Sequence, residues 1–197
     1  MNPRREAAFT WLELLVCLSI AGILIALALP SITVGPTRPG QMTQSLSNMK
    51  QLLMATQQMV LDGETTANTN LGWPGETGGT FTNWARQLVP AYLSTNDFCK
   101  LLSAAGKIVP RDKMPESMSN SAVLVYAVSN KSPSDTVLFS SANFIHSPSG
   151  SSALNATNKP FGNKGFVIFH KGGDGAILLP KQVRATNIIG AYAPLCR

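Results

Sequence analysis

The chain has 197 residues, a formal charge of +6, 44% hydrophobic residues and only 13% charged ones. That length accommodates one domain of moderate size plus an appendage, and it buries a core without disulfide or metal staples. The positive charge is spread thinly rather than gathered into a patch with interleaved aromatics, which argues against a nucleic-acid partner. The three cysteines form no Cys-x-x-Cys or Cys/His spacing, which argues against a zinc module.

Residues 1–8 form a short leader containing Arg4 and Arg5, and the run Phe9 to Leu29 (FTWLELLVCLSIAGILIALAL) is apolar apart from Glu13. Its length, at 1.5 Å per helical residue, is roughly 31 Å, close to the roughly 30 Å of a bilayer core. The run therefore predicts a transmembrane helix. With basic residues before it and none after it until Arg38, the positive-inside rule places the leader in the cytoplasm and exports the residues beyond Pro30. A carboxylate inside a span costs about 2.5–3.5 kcal/mol at the helix centre, so Glu13 calls for a partner.

Two other readings of this segment compete. Ala26-Leu27-Ala28 is an A-x-A pattern that would suit a cleaved secretory signal, although the apolar run exceeds the usual h-region of about 7–15 residues. A lipoprotein signal through Cys17 fails, because Val16 precedes it and the cysteine lies in mid-run.

The segment Ala8-Phe9-Thr10-Trp11-Leu12-Glu13-Leu14-Leu15-Val16 resembles the class III signal of type IV pilins and type II secretion pseudopilins. In that family a short basic leader ends in a small residue before Phe-Thr-Leu-x-Glu, and Pro30 falls where many members carry a helix-kinking proline. The chain departs from the pattern in carrying Ala8 for the usual Gly and Trp11 for the usual Leu. The resemblance implies cleavage by a prepilin peptidase between Ala8 and Phe9 and N-methylation of Phe9. It further implies that Glu13 neutralises the N-terminal amine of an adjacent subunit during assembly. The partners implied are the peptidase, other pilin or pseudopilin subunits and membrane lipid. The location implied is a single-pass protein of a bacterial inner membrane with an exported head.

Residues 30–41 carry three prolines and two glycines, and they predict a Pro/Gly hinge that breaks the helix between Pro30 and Pro39. From residue 42 the exported head begins. Met42, Leu46, Met49, Leu53, Thr56 and Val60 recur at three-to-four spacing, which predicts an amphipathic helix ending near Asp62-Gly63. Leu46, Asn48, Gln51 and Leu52 also match a Leu-x-Asn-x-x-Gln-Leu run that succeeds the anchor in one branch of pseudopilin-like proteins.

Residues 63–83 read as a loop, 84–93 and 97–105 as short helical pieces, and 141–164 as a Ser/Asn/Gly/Pro-rich surface loop. Strands are predicted at 122–128, 136–140, 165–170 and 176–179, with a weaker one at 188–193. The clearest hairpin joins Phe166–Phe169 to Ala176–Leu179 through a Gly-rich connection. The expected fold is thus α+β, with a helix packed on a small antiparallel sheet.

Chemistry-bearing residues are sparse. Cys99 and Cys196 can pair in an oxidising compartment and stay thiols in a reducing one. Asp174 is a weak calcium candidate, since hard cations want about six to eight oxygen ligands and no other carboxylate is near it in sequence. His146 and His170 sit in no catalytic motif, and Lys171-Gly172-Gly173-Asp174-Gly175 is not a phosphate loop. No catalytic residue and no cofactor is predicted, and the expected role is structural: a subunit of a type IV pilus or a secretion pseudopilus. The alternative is a secreted or surface-anchored binding module with an ordinary export signal.

Overall fold

The computed structural model describes residues 11–33, 38–147 and 152–197. The chain divides into two units, Met1–Thr37 and Arg38–Arg197.

In the first unit, helix α1 spans Trp11–Thr33 and carries Glu13 in its first turn. The helix runs through Pro30, so the expected break does not begin there. The expectation of a transmembrane helix is corrected: among the described residues no helix is long and apolar enough to cross a membrane. The single-pass placement in a bacterial inner membrane rested on that span and falls with it.

In the second unit, α2 spans Arg38–Thr66, longer at both ends than its periodicity predicts. Pro39 and Gly40 lie in its first turn, where a proline is tolerated because N–H groups there have no intrahelical acceptor. Of the predicted hinge, residues 30–33 and 38–41 are helical, and residues 34–37 lie outside the described residues. At the other end Gly63 continues the helix instead of stopping it. A Cβ there would lie 2.9 Å from Leu71 Cβ and closer still to the Leu71 carbonyl oxygen, so the glycine serves the approach of the following loop.

Two short helices come next. Helix α3 (Phe81–Leu88) is capped by Thr80, whose side chain accepts from the Asn83 N–H, and α4 (Thr95–Leu101) by Ser94, which accepts from the Asp97 N–H. The sheet comprises β1 (Val123–Val125), β2 (Val137–Ser141), β5 (Phe166–His170) and β6 (Gly175–Leu178), all antiparallel in the order β1-β2-β5-β6. Between β2 and β5 lies a two-stranded ribbon, β3 (Phe144–Ile145) and β4 (Ala153–Leu154), inside the stretch read from sequence as loop. The weak strand expected at 188–193 is instead a helical turn, α5 (Thr186–Ile189), followed by an extended tail.

Helix α2 lies across β5 and β6 and also packs against α3 and α4. The predicted stripe faces this core: Met42, Met49, Leu53, Thr56 and Val60 are buried, and Leu46 packs against them half-buried. On the side of α3, Trp84 is fully buried among Phe81, Phe98 and Phe139 at ring-centroid distances of 5.9–6.0 Å. Tilted packing at that separation suits the ring quadrupoles. Phe144 from the ribbon stacks on Phe166 of β5 at 4.2 Å, which ties the small sheet to the large one.

Candidate assembly helix and polar sites of the head

Side chains on α1 are displayed rather than packed. Trp11 is 80% exposed, Leu12 72%, Leu18 65%, Leu24 62% and Ile23 60%, and Leu14, Leu15, Val16 and Ile20 are also exposed. A Cβ on Gly22 would meet nothing within 4 Å. In the head most large apolar residues lie in one contiguous buried cluster, with Met54, Leu61, Ile108 and Leu179 among those left exposed. Contiguous apolar surface of this kind on a folded chain marks an interaction site. Glu13 lies on this helix in its first turn, where the N-terminal end of the dipole favours a carboxylate. The cleavage pair Ala8 and Phe9 lies outside the described residues, and Pro30 sits within α1.

Within the head the structure joins His170 and Asp174, which lie four residues apart across the β5–β6 turn. His170 Nδ1 is 2.6 Å from Asp174 Oδ2, and its Nε2 is 2.9 Å from the carbonyl oxygen of Ile189. One buried imidazole thereby links the hairpin turn to the start of the C-terminal tail. Among the described residues no group of three or more His, Cys, Asp or Glu side chains converges to hold a metal ion, and the Asp174 carboxylate is engaged by His170.

His146 is a second buried ring that stands isolated in the sequence. Its Nδ1 is 2.8 Å from Ser152 Oγ, and its backbone N–H donates to Tyr126 Oη at 3.0 Å. Tyr126 Oη in turn lies 3.1 Å from Ser140 Oγ. Burial lowers the His146 ring below the usual histidine value, partly offset by the backbone of Gly190 and Ala191, while His170 nearby lowers it further. The participants are 6 to 20 residues from His146 in sequence and share no motif, so only the fold reveals the network. It fixes the ribbon and tail against β1 and β2.

The tail itself continues the sheet at its β1 edge. Tyr126 and Leu195 form an antiparallel bridge, Cys196 N–H donates to Val125 O, and Ala127 N–H donates to Pro194 O. Unpaired edge groups invite a foreign strand, and the tail covers them. Cys99 and Cys196 are separate free thiols, both buried. Burial pushes Cys196 up to about 12 and also raises Cys99, with Asp112 adding to the latter, so both stay protonated at neutral pH.

No protein-family model, no curated protein and no solved structure matches the chain.

Proposed function

We propose that the chain is a structural subunit of a filament of the type IV pilus or secretion pseudopilus kind, polymerised through α1. The observation that carries this reading is the exposed apolar surface of α1, with large side chains uncovered from Trp11 to Leu24. Fully burying a Leu, Ile or Val side chain gains about 1.5–3 kcal/mol, so covering half of the exposed surface of the eight such side chains yields about 3–7 kcal/mol. That magnitude reaches the lower part of an association cost of about 4–15 kcal/mol, and several neighbours around each helix multiply it.

The N-terminal signal supplies the second support. Cleavage between Ala8 and Phe9 would create a new amine four residues before Glu13, and a carboxylate covered by apolar neighbours calls for such a cation. In this reading Glu13 of one copy pairs with the Phe9 amine of the next and sets the register of packing. The head acts as a passive, rigid body and performs no catalysis.

The test is the N-terminus and intact mass of the protein produced in a bacterium that has a prepilin peptidase, with electron microscopy of the same preparation. A methylated Phe9 start and filaments that disappear in Glu13→Ala are expected. An uncut chain that forms no filaments would overturn the reading.

A further inference from the structure

The two ends of α2 are oppositely charged hollows. At its start, Gln41, Asn158, Lys159, Phe161 and Lys164 line a cleft of about 210 Å³ whose lining contains two lysines and no carboxylate. At its other end, Val60, Glu64, Asn68, Leu71, Glu76 and Asn130 line a wider hollow of about 430 Å³ with two carboxylates and no cation. Gln41 and Glu64 lie 23 residues apart on one helix, roughly 35 Å at 1.5 Å per residue. The helix dipole has the same polarity, positive at the lysine end and negative at the carboxylate end.

The carboxylates are held in place. Glu76 accepts from the Asn130 N–H at 2.8 Å and from the Trp73 N–H at 3.2 Å, and Glu64 accepts from Asn130 Nδ2 at 3.4 Å. Lys171, close to Asn130, is turned inward: its Nζ donates to the carbonyls of Asn130 and Ser132 and sits 5.2 Å from the Trp73 ring centroid. Lys159, Lys164 and Glu64 are exposed.

We infer that the occupant of each hollow is a second copy of this chain: the Lys159/Lys164 end of one head seats on the Glu64/Glu76 end of the next. Charge complementarity carries this choice, because two like ends repel and each end matches the other. The contact is heterologous, joining different surfaces, so repetition without closure produces an open filament rather than a closed dimer. The inference rests on the filament reading above and adds to it a specific head-to-head contact with a direction.

The experiment uses the full chain, diluted from detergent into buffer of low ionic strength, with pelleted fraction and electron microscopy as readouts. Lys159→Glu with Lys164→Glu makes both ends acidic, and Glu64→Lys with Thr69→Lys makes the second end basic. Each pair alone is expected to raise the concentration needed for assembly by about tenfold, and the four substitutions together to restore most of it, because the ends are then complementary in reverse. Raising salt from about 0.05 M to 0.5 M shortens the screening length well below 10 Å and should weaken the wild type. Thermal melting of each variant establishes that the head is folded.

Wild-type assembly unaffected by either folded pair would overturn the head contact while leaving assembly through α1 standing. Loss in both pairs without recovery in the combined, folded variant would overturn it as well. A wild type that forms no filament at all would overturn the filament reading and this inference with it.

Discussion

Replacing Leu18 by Asp separates what α1 does for the fold from what it does for assembly. Leu18 is 65% exposed and lies outside the compact unit Arg38–Arg197. Full burial of a leucine gains about 1.5–3 kcal/mol, so about 1–2 kcal/mol remains to be gained when a neighbour covers this one. Aspartate forfeits that gain and adds the cost of enclosing an unpaired carboxylate, several kcal/mol even after relaxation. The sum is about 4 kcal/mol or more per copy, equivalent to a rise on the order of 10³-fold in the concentration needed for assembly. Leu18→Ala loses only part of the apolar gain and should raise it by about tenfold. Sedimentation over a concentration series measures both shifts, and thermal melting of the head should be unchanged in both variants. Assembly of Leu18→Asp within about threefold of the wild-type concentration would mean that this face of α1 is not covered by neighbours.

Two further expectations concern the head. Gly175→Val should destabilise it by about 1–3 kcal/mol, as overpacking does, because a Cβ there would lie 2.5 Å from Phe169 Cδ2 and 2.6 Å from Leu46 Cδ1. Leu46→Ala in the same chain should recover part of that loss in a thermal or denaturant melt, and a purely additive double variant would show that the crowding lies elsewhere. His146 binds a proton less readily folded than unfolded, so its contribution to stability is present above about pH 6.5 and is lost as pH falls toward its lowered folded value. His146→Gln should therefore show a shallower fall in denaturation midpoint below pH 6.5 than the wild type, and parallel curves would mean that another group carries the acid response.

Much of the head was legible because its elements obey simple periods. The stripe from Met42 to Val60 repeats at helical spacing with polar residues between, and Phe166–Phe169 and Ala176–Leu179 flank a Gly-rich turn, so helix and hairpin arise from local pattern. The boundaries of α2 were misplaced because Pro39-Gly40 and Asp62-Gly63 are breaker signals whose effect depends on context. Pro39 occupies a first turn that needs no donor, and Gly63 is dictated by contact with Leu71 rather than by a cap. The ribbon of β3 and β4 was invisible because each strand has only two residues, and its hold on the sheet comes from Phe144 stacking on Phe166 22 positions later. The weak strand at 188–193 failed for a similar reason: what fixes Ile189 is the His170 imidazole, a tertiary contact with no sequence period. The span expected from the apolar run Phe9 to Leu29 fails, because among the described residues no helix is long and apolar enough to cross a membrane.

The contrast between α1 and the head is the strongest physical statement the chain makes. Phe81, Trp84, Phe98, Phe139, Phe144 and Phe166 are all but fully buried, so the head encloses its largest aromatic side chains itself. On α1 large apolar side chains stand exposed from Trp11 to Leu24. An apolar helix alone would associate without discrimination, because the hydrophobic effect has no direction. Direction has to come from polar groups that are few and fixed. In the proposed filament Glu13 is one such group on α1, and the oppositely charged ends of α2 are two on the head. Affinity from α1 and polarity from those charges are therefore separable: substitutions on α1 should alter how much assembles, and reversals at the ends of α2 should alter which surfaces meet.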